Sequence, residues 1–107
     1  MNAAWICLLV AGLFEIGWPV GLKLAQAPGR MVPGIAIAVG CMALSGGFLW
    51  MAQKGIPMGT AYAVWTGVGA AGTFLVGIAV YGDPTGWTRL SGIGLIIAGV
   101  ATLKMAH

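Results

Sequence analysis

The segment MVPGIAIAVGCMALSGGFLWMAQ (residues 31–53) contains 23 residues and no charged side chain. An α-helix that crosses a bilayer needs about 20 consecutive, mainly apolar residues. Residues 55–82 form a second charge-free run and residues 90–103 a third, whereas residues 1–22 contain one charge, Glu15. Charged residues make up 7% of the 107-residue chain, against about 25% in a typical soluble domain. The sequence therefore predicts an all-α membrane protein with four short transmembrane helices.

Three short segments rich in glycine and proline separate these runs. They read QAPGR (residues 26–30), KGIP (residues 54–57) and GDPTG (residues 82–86), and such clusters mark turns. We expect helices over residues 2–24, 31–53, 58–81 and 87–105, which together make one domain spanning residues 1–107. Because the connections are short, consecutive helices should pack antiparallel.

The composition argues against several classes of function. A net charge of +3 from five scattered Lys and Arg residues is too sparse for a nucleic-acid-binding surface, so we expect membrane lipid and no nucleic acid as a partner. The sequence has no nucleophile–base set, phosphate-binding loop or metal-ligand spacing, so we expect neither an enzyme nor a metal site. Cys7 and Cys41 fall inside predicted helices and are interpreted as small apolar packing residues.

The distribution of basic residues gives almost no preferred orientation in the membrane. Lys54 and Lys104 fall on one side of the predicted bundle, and Lys23, Arg30 and Arg89 fall on the other. Orientation follows the bias of Lys and Arg near helix ends, and here that bias is a single residue. Two interpretations stay open, namely one orientation set by the extra arginine, or dual insertion with copies facing both ways.

Glu15 is the most informative residue, because it lies deep in the first helix. Lys23 is eight residues further along, so the helix end is about 12 Å away and the Glu15 side chain cannot reach it. A carboxylate at this depth costs about 3 kcal/mol. No Lys or Arg lies deep in the spans, so none is placed to pair with Glu15 permanently. We therefore expect the partner of Glu15 to be a proton or a cationic substrate, the alternative being a structural Glu bonded to a neighbouring helix.

Aromatic and hydroxyl side chains could surround this carboxylate. Trp18 lies on the same helix face as Glu15, Tyr62 and Trp65 share a face of helix 3, and Ser45 lies in the middle of helix 2. A planar guanidinium suits such a set, because it donates two parallel hydrogen bonds to a carboxylate and stacks on aromatic rings. Interfacial anchoring is the alternative for Trp18 and Tyr62, core packing for Trp65, and a helix-contact hydroxyl for Ser45. The remaining tryptophans lie near helix ends and are predicted to be interfacial: Trp5, Trp50 and Trp87.

Over nearly its whole length the chain resembles the small multidrug resistance transporters. The resemblance rests on FEIGW and LK in helix 1, GTAYAVWTGVGA in helix 3 and GIGLIIAGV in helix 4. Within the family, Trp18 following Glu15 and Gly17 is similar to the guanidinium-exporter subtype. The resemblance implies an antiparallel, dual-topology homodimer in the bacterial inner membrane that exchanges protons for cations by alternating access.

The resemblance also implies roles for individual residues. Glu15 would bind the proton and the substrate, and no cofactor beyond the coupling proton would be needed. The pocket would be lined or oriented by four side chains: Trp18, Ser45, Tyr62 and Trp65. Gly92 and Gly99 match the family's dimerisation motif in helix 4. Gly67 and Gly69 could bend helix 3 between two forms, or could simply allow close packing.

Pro19 departs from the family pattern, in which a small residue commonly follows the tryptophan. Proline has no amide N–H, so the main-chain carbonyl of Glu15 loses its helical partner, and helix 1 should kink beside the site. The freed carbonyl is either satisfied locally, as in many membrane helices, or the pocket is reshaped and widened.

Three functions are compatible with these observations. The first is proton-coupled export of guanidinium or small guanidinyl cations, with one glutamate per subunit shared between proton and substrate. The second is a broader exporter of quaternary-ammonium drugs with the same fold. The third is a small helical channel or assembly protein without coupled transport.

Overall fold

The computed structural model describes residues 2–106 as four α-helices: α1 (Ala3–Ala25), α2 (Met31–Ala52), α3 (Met58–Tyr81) and α4 (Trp87–Ala106). Each helix is long and apolar enough to cross a membrane, which confirms the prediction of a four-helix membrane protein. The ends of the helices lie within one residue of the ranges expected from the sequence. Met1 and His107, which the predicted domain includes, lie outside the described residues.

The helix ends have identifiable caps. The Asn2 side chain accepts a hydrogen bond of 3.0 Å from the amide of Trp5 and so caps the start of α1. The end of α3 is set by Gly82, which adopts the left-handed conformation with φ of 66°. The following amide, that of Asp83, donates to the carbonyl of Gly77 at 3.0 Å. These two caps define where α1 begins and where α3 ends.

Contacts between lysines and aromatic rings show that the helices alternate in direction. The Lys104 ammonium near the end of α4 lies 4.8 Å from the Trp5 ring centroid at the start of α1. The Lys23 ammonium near the end of α1 lies 5.8 Å from the Tyr81 ring at the end of α3. Gly34 near the start of α2 lies against Ala25 at the end of α1, so consecutive helices run antiparallel, as the short turns predicted.

Helix α1 is the centre of the bundle. It packs on both α2 and α3, whereas the backbone of α4 approaches α3 alone. Six buried residues form the core at the end of the bundle where α1 begins: Trp5, Leu8, Ala52, Ile56, Ala61 and Val64. Within residues 87–106, α4 buries no side chain, so α4 presents nearly all of its surface outward.

Glycines in the helices fall into two groups. At the first group a side chain would collide with a neighbouring helix: a Cβ on Gly21 would lie 2.7 Å from the amide nitrogen of Ala38, and one on Gly34 would lie 2.6 Å from the Cα of Ala25. These residues bring the backbones of α1 and α2 into contact, as small residues do in membrane proteins. Gly92 and Gly99 belong to the second group, where no atom of another described helix lies within 4 Å of the Cβ position. Their role in a dimer stays a prediction.

The prediction of an interfacial Trp5 is wrong. Its side chain is only 3% exposed and packs in the core with Leu8 and Ile56, because α1 directs this face toward the other helices rather than toward lipid. Trp50 and Trp87 are 64% and 88% exposed. The Trp50 ring lies beneath the Lys54 ammonium, 4.3 Å from ring centroid to nitrogen, an arrangement typical of the interface.

Candidate functional site

The half-buried Glu15 side chain extends from the middle of α1 against α3. It lies directly over Gly69, where an added Cβ would be 2.5 Å from the Glu15 Cγ. The missing side chain at position 69 is therefore what gives the carboxylate its place between the helices. Gly69 was predicted as a point of flexibility; the structure gives it this packing role, and its flexibility stays a prediction.

Ser45 connects α1, α2 and α3 through one buried hydroxyl. This side chain is 0% exposed. It accepts a 2.7 Å hydrogen bond from the indole N–H of Trp65, and its oxygen lies 2.8 Å from the main-chain carbonyl oxygen of Ala11. The same hydroxyl lies 3.4 Å from Oε1 of Glu15. A hydroxyl carries a single proton, and O–H···O bonds are normally 2.5–3.0 Å long, so the Ser45 proton points at Ala11. The Glu15 carboxylate therefore has no short hydrogen bond to Ser45.

A groove of about 430 Å³ opens beside the carboxylate between α1 and α3. Its lining consists of Glu15, Pro19, Thr66, Gly69, Ala70, Thr73 and Phe74. The Thr66 hydroxyl donates to the carbonyl of Tyr62 at 2.8 Å, which leaves its oxygen able to accept. Such a groove is accessible to a small cation, and the acidic group at its wall is Glu15.

The other residues predicted for the pocket do not line this groove. The Trp65 indole donates to the Ser45 hydroxyl, and the oxygen of that hydroxyl lies 3.4 Å from Oε1 of Glu15. The Tyr62 side chain is 56% exposed, and its ring lies 5.4 Å from that of Trp65 at an angle of 53°. Trp18 is half-buried, and its indole nitrogen has no hydrogen-bond partner within the described chain. Within the single chain, the structure thus brings together Glu15, Ser45 and Trp65. Tyr62 contacts the ring of Trp65.

None of the described residues that line the groove carries a fixed positive charge. Lys23, the next basic residue on α1, lies about two turns beyond Glu15 and contacts the Tyr81 ring instead. Among residues 2–106, no three His, Cys, Asp or Glu side chains come together to form a metal site. The arrangement can therefore bind a proton or a diffusible cation at a carboxylate that has no permanent counter-ion.

Thr66 and Thr73 were missed by the sequence analysis. They lie one heptad apart on α3, with Gly69 between them, and all three line the groove. The signal was present as Thr66, Gly69 and Thr73 at spacings of three and four residues, which place them on one helical face. Threonine is common at contacts between membrane helices, so this spacing alone does not distinguish a groove lining from ordinary packing.

Ser45→Ala should destabilise the fold. The substitution removes the acceptor of the Trp65 indole N–H, and an unsatisfied donor of this kind costs about 1–3 kcal/mol. Denaturant unfolding in detergent micelles, followed by circular dichroism, measures the loss. The control is Ser91→Ala: this exposed hydroxyl bonds carbonyls of its own helix, including that of Thr88 at 3.1 Å, and its removal should change stability by less than about 0.5 kcal/mol. Equal stabilities for the two variants would contradict the structural role of Ser45.

Four membrane-spanning helices around an acidic residue with no fixed counter-ion define a multi-pass membrane protein with a candidate cation site. The sequence profile of the Small Multidrug Resistance protein matches residues 3–96. The chain belongs to the small multidrug resistance family. The family is one of transporters rather than enzymes, and the bacterial relatives point to the inner membrane.

Several curated relatives match the chain from end to end. A guanidinium exporter of Proteus vulgaris is 48% identical over 96% of this chain and 98% of its own length. A guanidinium exporter of Yersinia pestis is 47% identical with the same coverage. A third, from Citrobacter freundii, is 44% identical over 96% of this chain and 97% of its own length.

Proposed function

We propose that the protein is a proton-coupled antiporter that exports guanidinium or small guanidinyl cations by alternating access, with Glu15 binding the proton and the cation in turn. The names of the relatives support the substrate. The observation that carries the proposal is the Glu15 carboxylate on an open groove, with no fixed cation and no short hydrogen bond from Ser45. The subtype that Trp18 indicated in the sequence agrees with the relatives' names.

The chemistry of the groove suits a guanidinium ion. Its planar fork matches the two oxygens of one carboxylate, and its faces are weakly hydrated. The Ser45 hydroxyl bonds Trp65 and the main chain of Ala11, and it leaves both oxygens of Glu15 without a short hydrogen bond. Threonine hydroxyls on α3 offer further acceptors for N–H groups.

The coupling follows from competition for the carboxylate. In the antiparallel homodimer that we propose, each subunit contributes one Glu15 to a shared site. Two bare carboxylates repel each other strongly in a medium of low dielectric constant, so the empty dimer should be slow to switch between inward-facing and outward-facing forms. A bound proton or cation removes the repulsion and permits the switch. The outward, open Gly92–Gly99 face of α4 supplies a surface for close contact between subunits.

A comparison of two cations tests the substrate. Purified protein in proteoliposomes on a solid-supported membrane should give proton-coupled currents with guanidinium that exceed those with tetrapropylammonium by about tenfold or more, since the second ion has no N–H to donate. Protein-free liposomes are the control. Equal currents for both cations would favour the broader drug exporter. If the direction of the currents does not depend on an imposed proton gradient, the result would favour a channel and contradict coupled transport.

A further inference from the structure

Pro19 lies on the α1 face that borders the groove, one turn beyond Glu15. It lines the groove together with Glu15, and α1 continues through it to Ala25. Proline has no amide N–H, so the main-chain carbonyl oxygen of Glu15, which would normally accept from residue 19, has no such partner. Because the carbonyl of residue 15 points along the helix toward residue 19, this oxygen lies between two side chains that both border the groove.

None of the hydroxyl or indole donors closest to the site donates a hydrogen bond to the main-chain carbonyl oxygen of Glu15. Ser45 donates to Ala11, Thr66 donates to Tyr62, and the Trp65 indole donates to Ser45. The Trp18 indole N–H has no partner within the described chain and so does not bond this oxygen either. Without the N–H of residue 19, this carbonyl keeps acceptor capacity that a regular helix would use. It belongs to the same residue as the carboxylate, and that residue borders the groove.

We propose that Pro19 is a specificity-determining residue, which exposes the Glu15 main-chain carbonyl oxygen as a second acceptor for the N–H groups of the bound cation. A guanidinium ion has more N–H groups than one carboxylate can accept, so a carbonyl beside the carboxylate can take a further one. A quaternary ammonium ion has none and gains nothing. The inference rests on the proposed function and deepens it, because it names what makes this groove select cations with N–H groups.

A single isotope label can observe this carbonyl. Glu15 is the only glutamate in the chain, so cell-free synthesis with [1-13C]glutamate labels one main-chain carbonyl. In isotope-edited infrared spectra of the reconstituted protein, guanidinium should shift the labelled amide band to lower frequency, and tetramethylammonium should leave it unchanged. In Pro19→Ala, where the restored N–H occupies the carbonyl, the band should start at lower frequency and should not respond to guanidinium.

Binding measurements give the second readout. The ratio of the dissociation constants for tetramethylammonium and guanidinium should fall by roughly tenfold in Pro19→Ala, as one hydrogen bond to a charged group is lost. An ester at position 19, introduced as lactic acid, lacks both the ring and the N–H, and it should keep the wild-type ratio. This variant distinguishes the effect of the free carbonyl on the binding ratio from the effect of the shape that the proline ring gives to α1.

The outcomes distinguish the two proposals. If the wild type transports guanidinium but the ratio is the same in Pro19→Ala, or if the ester variant behaves like Pro19→Ala, the role of the carbonyl is overturned and the proposed function stands. If guanidinium binds to the wild type but the labelled amide band does not shift, the role of the carbonyl is likewise overturned and the proposed function stands. If the wild type neither binds nor transports guanidinium, both proposals are wrong.

Discussion

Glu15→Gln is expected to abolish proton-driven cation exchange. The amide has nearly the shape of the carboxylate, but it carries no negative charge and exchanges no proton. Because Glu15 is the one ionisable side chain among the described residues that line the groove, no other lining group can replace the lost charge. Guanidinium affinity should fall by at least about 100-fold, as expected when one partner of a poorly hydrated ion pair is removed. Proton-coupled uptake into proteoliposomes and equilibrium binding measure the two losses.

Asp83→Asn is the matched control for this substitution. Asp83 is the other acidic residue of the chain and lies exposed just beyond the end of α3. The same loss of one carboxylate there should leave coupled transport within about twofold of the wild type, as for a surface substitution. Coupled uptake by Glu15→Gln at a rate near that of Asp83→Asn would end the proposed mechanism.

Gly34→Ala is expected to give the largest loss of stability among single-methyl substitutions in the bundle. The added methyl group would overlap the main chain of Ala25, with its Cα at 2.6 Å. A backbone cannot move aside as a flexible side chain does, so α1 and α2 must separate along their contact. Overpacking of this kind costs about 1–3 kcal/mol, and we expect the upper end. Denaturant unfolding in micelles measures the change.

Gly40→Ala on the same helix provides the comparison. No atom of another described helix lies within 4 Å of its Cβ position, so the methyl group meets no neighbouring helix. The higher helix propensity of alanine could raise stability by up to about 1 kcal/mol. The two variants differ only in where the methyl group points. A loss in Gly40→Ala as large as that in Gly34→Ala would show that helix propensity or an unseen contact, rather than the α1–α2 contact, decides the stability.

The four spans could be predicted closely because length and absence of charge define a membrane helix. Which face of each helix is buried could not, since every face is apolar and lipid does not separate core from surface by hydrophobicity. Trp5 shows the consequence: its place near a helix end suggested the interface, but only the packing of Leu8 and Ile56 around it reveals that it is buried. The two groups of glycines were equally indistinguishable in the sequence.

The candidate site was predicted in part. Glu15 stood out because a charge in an apolar segment is rare, and the structure places it on a groove. The hydrogen bonds from Trp65 to Ser45 and on to Ala11 join three helices, and separations of 20 and 34 residues carry no local pattern that would reveal them. Trp18 and Tyr62 share faces with site residues in the sequence, but neither lines the groove of the single chain. Their roles as pocket residues remain predictions.

The most direct test of the central claim is an infrared measurement on the single glutamate side chain. Protein made with [5-13C]glutamate carries one labelled carboxyl group, that of Glu15. At a pH where this carboxyl is partly protonated, adding guanidinium should convert the labelled acid band into carboxylate bands and release protons in step with cation binding. Labelled bands that stay unchanged while guanidinium binds would contradict the claim that the proton and the cation share Glu15.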